Sequence, residues 1–503
     1  MPEKGNRFGF VIAGLLIGIL IAAMDNTIVA TAMGTIVADL GGLNQFVWVT
    51  SAYMIAAMAG MPIFGKLSDM FGRKRFFIFG LVVFMIGSAL CGTAQTILQL
   101  SLYRVIQGIG GGALMPIAFT IVFDLFPPEK RGKITGLFGA VFGISNLFGP
   151  LLGAYITDHI HWTWNFYINL PLGIVALVFV VFAYKESSVH TKQAIDWWGA
   201  ATLVLSVVSL MFALEFGGRQ FAWDSAVIIS LFSAFAILLI AFLYIETRAS
   251  EPIISYQMFK NRLYAVSNAV GFFYGAAFIA ATYYIPIFVQ GVIGGSATNS
   301  GLILLPMTLG SVIGAQIGGI LANKFSFRNI MIVSGVLLFV GVGMLCTLSP
   351  DSAKSMLVLY MILVGLGVGP SFSVLTMAVI HHFDFRQRGS ANSTFTFIRS
   401  LGMTIGITVF GIIQRNIMTA QLSSALPANA ANGNLLHDPR EMLDPATRAK
   451  IPGAILDKIT DALSISISHT FIWGFLAAVL AFLLIMIMGN DRIGRREKSG
   501  SPA

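Results

Sequence analysis

The chain of 503 residues is 56% hydrophobic and 11% charged, with a mean hydropathy of +0.83. Soluble domains carry about 25% charged residues, so this composition excludes an ordinary water-soluble globule. The net charge of +9 suits nucleic-acid binding in principle. The basic residues, however, sit between apolar runs rather than on one polar domain, which argues against that class.

Fourteen apolar runs are each long enough for the roughly 20 residues that a membrane helix needs. They cover about 8–32, 45–65, 76–95, 98–123, 133–157, 164–184, 196–216, 225–246, 264–290, 297–322, 328–347, 355–380, 390–414 and 469–488. With the N-terminus inside, the cytoplasmic segments hold 22 Lys and Arg and the outer segments 7. Lys and Arg concentrate on the cytoplasmic side, so both termini are expected there, in a multi-pass protein of the inner or plasma membrane. Lys4, Arg7 and the run that follows imitate a signal peptide. The run is too long for one and Asp25 interrupts it, so it is read as an uncleaved first span.

Span 1 carries Asp25, the main carboxylate well inside a span, and such a group is functional by default. It lies roughly 10 Å from the outer end at the helical rise. Arg104, in span 4, lies roughly 9 Å from the same face. The matched depths predict an ion pair that proton binding to Asp25 would break. A permanent structural pair is the alternative.

Between spans 2 and 3 stands Gly65-Lys66-Leu67-Ser68-Asp69-Met70-Phe71-Gly72-Arg73-Lys74-Arg75. A loop this charged cannot lie in hydrocarbon. Asp69 is expected at the start of span 3, where the helix dipole favours an anion. Arg73 is expected to pair with Asp124 at the end of span 4. The pair would lock the cytoplasmic ends of two helices and close when the protein opens outward. A plain topology anchor is the alternative.

The chain repeats itself. Gly108-Ile109-Gly110 returns as Gly365-Leu366-Gly367, and Arg131-Gly132 as Arg388-Gly389, both 257 positions on. Gly319–Lys324 is a worn copy of the charged loop, with Asn323 in place of an acid, so the charged lock is expected in the N-terminal half alone. The repeat equates spans 1–6 with spans 9–14. The resulting division is an N-terminal six-helix half (1–187), two linker helices (188–260), a C-terminal half (261–488) with a long outer loop (415–468), and a tail (489–503). Two such halves are a transporter plan. No Walker A motif is present, so no ATP is expected to drive it. No cofactor beyond a proton gradient is expected. A short helix over Ile455–Leu463 is expected in the outer loop, covering the outer mouth or simply connecting.

Arg399 lies roughly 14 Å from the cytoplasmic face in span 13. It either caps carbonyls at a helix break or holds an anionic group of substrate or lipid. Spans 9–14 contain no carboxylate. Further pocket candidates are Asn26, Trp48, Tyr53, Asn146, Asn165, Asn169, Tyr283, Tyr284, Gln290 and Gln316. Met and Phe are abundant, and flexible thioethers with aromatic faces suit a pocket of broad tolerance. Cys91 and Cys346 read as buried thiols, not a disulfide. The seven histidines show no metal spacing.

Several stretches together resemble one family. The Gly65–Arg75 loop has the G-x-L-x-D-x-x-G-R-K-R form of the major facilitator superfamily. Span 4 has R-x-x-x-G-x-G from Arg104, whose arginine that resemblance implicates in proton transfer. Gly149-Pro150-Leu151-Leu152-Gly153-Ala154 resembles the G-P-x-x-G-G signature of drug antiporters, with Ala154 departing from it. Met24–Val29, Trp164–Pro171, Asp196–Gly199 and Glu246–Ile254 resemble the 14-helix drug:proton antiporters of the EmrB/QacA type. The resemblance implies an all-α membrane fold of two six-helix halves plus two linker helices, without enzymatic activity. It implies proton-coupled export of lipophilic compounds by alternating access. A single cavity carboxylate, Asp25, favours monocations or neutral compounds. The expected partners are a small lipophilic substrate and membrane lipid, with no nucleic acid, and a monomer is expected. Two alternatives stay open: an exporter or flippase of a lipid or anionic amphiphile, and a non-transporting sensor or scaffold.

Overall fold

A computed structural model describes residues 7–41, 47–186, 196–218, 220–295, 297–425 and 453–492. Among the described residues, fourteen helices are long and apolar enough to cross a membrane. They are α1 (Phe8–Leu40), α2 (Trp48–Phe71), α3 (Arg73–Cys91), α4 (Ile97–Leu125), α5 (Gly136–His159), α6 (Trp164–Ala183) and α7 (Trp197–Phe216). The rest are α8 (Ala226–Arg248), α9 (Arg262–Val292), α10 (Asn299–Leu321), α11 (Phe327–Leu345), α12 (Lys354–Ile380), α13 (Phe385–Ser424) and α14 (Ile455–Met486). They match the fourteen expected spans one for one.

The ends differ in a consistent way. Helix α1 runs well past its expected end at residue 32, to Leu40. The α-helix containing Arg415 continues to Ala425. Residues Ile455–Leu463 do not form a separate short helix but open the last helix, Gly453–Met486. The expected outer loop 415–468 is therefore shorter at both ends. Charges such as Arg415, Asp457 and Lys458 end an apolar window, but a helix carries its backbone hydrogen bonds with it and can continue into water. Residues 426–452, and with them half of that loop, lie outside the described residues.

Two helices change pitch inside the membrane. Helix α9 widens into a π turn at Phe288–Val292, just after Pro286. Helix α12 does so at Ser371–Leu375, just after Pro370. A proline removes one N–H and pushes on the preceding turn, and local π adjustment absorbs both.

The repeat is visible in the packing. A Cβ on Gly108 would strike the Tyr53 carbonyl of α2, and one on Gly110 the Phe84 amide of α3. A Cβ on Gly365 would likewise strike the Met307 carbonyl of α10, and one on Gly367 the Leu338 amide of α11. The glycines let α4 and α12 each lie backbone to backbone between two neighbours, as small residues do in membranes. The arginines repeat as well: Arg131 Nε donates to the Phe126 carbonyl at 2.8 Å, and Arg388 Nε to the Phe383 carbonyl at 3.3 Å. Gly110→Val and Gly367→Val should each lower the thermal midpoint in detergent, by overpacking of about 1–3 kcal/mol or more. Gly34→Ala, where a methyl group meets nothing within 4 Å, should leave it unchanged.

Contacts divide the chain into two compact units. Unit 1 comprises Met1–Ala265, Thr376–Ile398 and Arg492–Ala503; unit 2 comprises Val266–Leu375 and Arg399–Asp491. In unit 1, α1 packs on α5 and α6, α4 on α2 and α3, and α7 on α8 and α2. In unit 2, α12 packs on α10 and α11, and α14 on α11 and the π turn of α9. Cys91 and Cys346 are free thiols; Cys91 is buried, as expected, whereas Cys346 is only half-buried.

Candidate functional site

Asp25 and Arg104 meet as an ion pair, and neither has any exposed surface. The rest of the site is a set of donors around the carboxylate. Gln107 Nε2 donates to Asp25 Oδ1 at 2.8 Å and Asn169 Nδ2 to the same oxygen at 3.1 Å. Both amides also donate to Ser88 Oγ, at 3.1 and 2.9 Å, and Ser88 donates in turn to the Phe166 carbonyl at 2.8 Å. Helices α1, α3, α4 and α6 thus converge on one buried acid.

Arg104 has acceptors besides Asp25. Its Nε donates to the Val49 carbonyl at 2.9 Å, Nη1 to Gln107 Oε1 at 2.7 Å, and Nη2 to Asn26 Oδ1 at 3.2 Å. The guanidinium lies over the Tyr53 ring, 4.3 Å from its centroid. If Asp25 took a proton, Arg104 would therefore keep three neutral oxygens and a ring face. That lowers the penalty of breaking the pair, which would otherwise strand a buried cation.

Three pocket candidates, Asn26, Tyr53 and Asn169, belong to this network. Gln107 and Ser88 were missed in the sequence. The signal for Gln107 was its i+3 position from Arg104, which puts both on one helix face.

A second cluster forms around the charged loop. Helix α2 continues to Phe71, so Asp69 is still helical and does not cap α3 as the sequence suggested. Its oxygens instead accept the amides of Gly389 at 2.9 Å and Ser390 at 2.7 Å. These amides open the helix Arg388–Ala425, where an acid satisfies unpaired N–H groups and meets the positive dipole end. Capping of α3 falls to Glu186, which accepts the Arg73 and Lys74 amides. Between the two helices Gly72 turns the chain at φ 109°, a conformation that L side chains rarely adopt.

Arg73 pairs with Asp124, as expected, and also with Asp69 at 3.0 Å. It donates to the Phe385 carbonyl and lies 4.1 Å from the centroid of the Phe385 ring. Arg388 Nη1 approaches Asp124 at 3.4 Å. The expectation that the lock uses the N-terminal half alone is thus corrected. The segment Thr376–Ile398, which joins unit 1, supplies Phe385, Arg388, Gly389 and Ser390. Close approach makes this possible: a Cβ on Gly65 would collide with the Ser393 side chain.

The glycines of the stretch Gly149–Ala154 face α1. Gly149 abuts Thr27, and Gly153 abuts Thr31 and the Ile28 carbonyl. Thr27 Oγ1 donates to the Met24 carbonyl at 2.8 Å and to the Ser145 carbonyl at 3.2 Å. Pro150 lies inside the same helix, next to this contact. Ala154 is exposed, so the departure from the signature adds its methyl group away from the interface.

The remaining candidates scatter. The Trp48 ring packs on Phe212 and Phe216 of α7, both at 5.1 Å. Asn165 is buried and donates to Thr157 Oγ1 at 2.8 Å. In unit 2, the Tyr283 and Tyr284 rings lie 5.6 Å apart, and Tyr284 packs against Phe471. Gln290 sits in the π turn of α9. Gln316 is half-buried on α10. Arg399 lies over the Phe372 ring at 4.9 Å. The side chain of Asn146 lies outside the described residues. Among the described residues, no group of three or more His, Cys, Asp or Glu is placed to hold a metal.

The sequence profile of the Major Facilitator Superfamily matches residues 15–407. The chain belongs to this superfamily. It is 56% identical over 489 residues to Multidrug resistance protein 3 of Bacillus subtilis (strain 168), covering 96% of each chain. It is 37% identical to Multidrug transporter protein MdtP of the same organism, covering 92% of this chain and 89% of that one. Among solved structures, the proton:xylose symporter XylE superposes with a TM-score of 0.60 at 14% identity, over 93% of this chain and 94% of the other. The fold and family are those of multi-pass membrane transporters rather than enzymes.

Proposed function

We propose that this major facilitator transporter exports lipophilic monocationic or neutral compounds in exchange for protons, by alternating access. The observation that carries the reading is Asp25: a fully buried carboxylate, held by one cation and two amides, in a chain whose two relatives above are named for multidrug resistance and multidrug transport. An intramembrane acid that only stabilised the fold would be poorly chosen, because well-packed apolar residues do that as well or better. An acid that must exchange a proton has no apolar substitute.

The proposed cycle uses this chain's own groups. A proton binds Asp25 and neutralises it. Arg104 transfers its interaction to Gln107, Asn26 and the Val49 carbonyl. Protonation thereby repacks the contacts of α4 with α1, α3 and α6. Both termini lie in the cytoplasm, in the inner or plasma membrane, on the strength of the charge asymmetry. The driving force is the proton gradient, with no other cofactor, and the working unit is a monomer in lipid.

The test is purified protein in liposomes with a pH-sensitive dye inside. Adding a lipophilic monocation should start proton movement opposite to the substrate, and an uncoupler should abolish substrate accumulation. Substrate transport unaffected by collapse of the proton gradient would sink the reading.

A further inference from the structure

A second pair of carboxylates lies outside both clusters, in the two linker helices. Asp196 stands at the start of α7, where its Oδ1 accepts the Gly199 amide at 2.8 Å. Glu246 is in the last turn of α8, only 3% exposed, and its Oε1 accepts the Ile253 amide at 3.1 Å. A methyl group on Gly199 would meet both carboxylates, with Glu246 Oε1 at 3.1 Å. The two acids therefore flank one point. The other oxygen of each, Asp196 Oδ2 and Glu246 Oε2, is buried with no hydrogen-bond donor among the described residues.

Among the described residues the surrounding charges relieve this only in part: Lys66 attracts the Glu246 carboxylate but is itself paired. Lys66 comes from α2, and Glu251 from the segment after α8. They pair with each other at 2.7 Å beside a small cavity that Asp196 also lines. Arg248, on the same turn as Glu246, is exposed and lies over Tyr244 at 5.5 Å. Two ionised carboxylates sharing a buried site repel each other and lose hydration. Two acceptor-only groups cannot satisfy each other, whereas a carboxylic acid and a carboxylate can.

We infer that Asp196 and Glu246 hold one proton between them, as a second protonation site distinct from Asp25. The helix dipoles say where it resides. Asp196 caps a helix N-terminus, which favours an anion, whereas Glu246 lies at a helix C-terminus, which disfavours one. The proton is therefore on Glu246, where it turns a carboxylate oxygen that has no donor into a hydroxyl able to donate to Asp196.

The pair is wired to the charged lock. Glu246 accepts the Ile253 amide, the Ile253 carbonyl accepts Ser390 Oγ at 2.8 Å, and the Ser390 amide donates to Asp69 at 2.7 Å. Loss of the proton would place two like charges against this strap and loosen it. The gating consequence rests on the transport reading above; the shared proton does not.

Infrared difference spectra of purified protein, between acid and alkaline buffer, test the proton directly. The wild type should show a protonated-carboxyl band that disappears on alkalinisation. Glu246→Gln should lack that band, and Asp196→Asn, which removes its ionised partner, should shift it. Identical spectra for wild type and Glu246→Gln would overturn the inference. If Glu246→Gln does not purify as a monodisperse protein, an unshifted band in Asp196→Asn overturns it equally. The band is expected even if the liposome assay shows no proton coupling, so the two ideas fail separately.

Discussion

Asp25→Asn should abolish proton-coupled export, with substrate-driven proton flux in liposomes falling at least tenfold, while the protein still folds. The asparagine keeps an oxygen that can accept from Arg104, and its new NH2 group replaces the oxygen that accepted from Gln107 and Asn169, so the Asn169 amide must turn to offer its unpartnered Oδ1. Arg104 then keeps Gln107, Asn26 and the Val49 carbonyl as acceptors. Arg104→Ala should behave differently. It leaves Asp25 ionised, buried and without its cation, a defect of about 3–5 kcal/mol that should show as a lower thermal midpoint. Adding Asp25→Asn to Arg104→Ala should restore much of that stability and none of the flux. This pattern separates a proton carrier from a structural ion pair. A structural pair would lose stability in both single variants and keep coupling in whatever protein survived. Full proton-coupled export by Asp25→Asn would place the coupling site elsewhere.

The legible part of this protein was the part governed by the bilayer. Spans, their number and the Asp25–Arg104 pairing all follow from depth, because hydrocarbon penalises charge at a known distance from the surface. The repeat was legible because packing at Gly108, Gly110, Gly365 and Gly367 admits no side chain. What escaped depended on contacts that depth does not constrain. Ser88 and Gln107 are uncharged, so nothing in hydropathy distinguishes them from other polar residues in a span. Asp69 reached Gly389 and Ser390, some 320 positions away, because α2 did not end where its charges began. The same error shortened α1 and the helices around the outer loop: charge marks where a helix leaves the membrane, not where it stops.

The second large effect is expected at Arg73. Its guanidinium is 1% exposed and binds Asp69, Asp124 and the Phe385 carbonyl at once. Arg73→Ala should slow transport tenfold or more while substrate affinity, read by tryptophan quenching or calorimetry, stays within about twofold. The magnitude follows from what remains. Asp69 would still hold two amides and Asp124 would still face Arg388, so the loss falls at the lower end of the roughly 3–5 kcal/mol for a broken buried pair. Roughly 3 kcal/mol is about a hundredfold in the population of the locked form. Asp69→Ala should have the smaller effect. It strips the cap from the helix at Arg388, about 1 kcal/mol or somewhat more, but leaves Arg73 on Asp124. Arg73→Lys keeps the charge without the planar fork that reaches several oxygens, and should fall between wild type and Arg73→Ala. Transport should therefore be fastest in the wild type, slower in Arg73→Lys and Asp69→Ala, and slowest in Arg73→Ala. Equal losses of rate and affinity in all three variants would mean that the loop only anchors the topology. A graded loss of rate at constant affinity requires contacts that form in one state of the cycle and break in another.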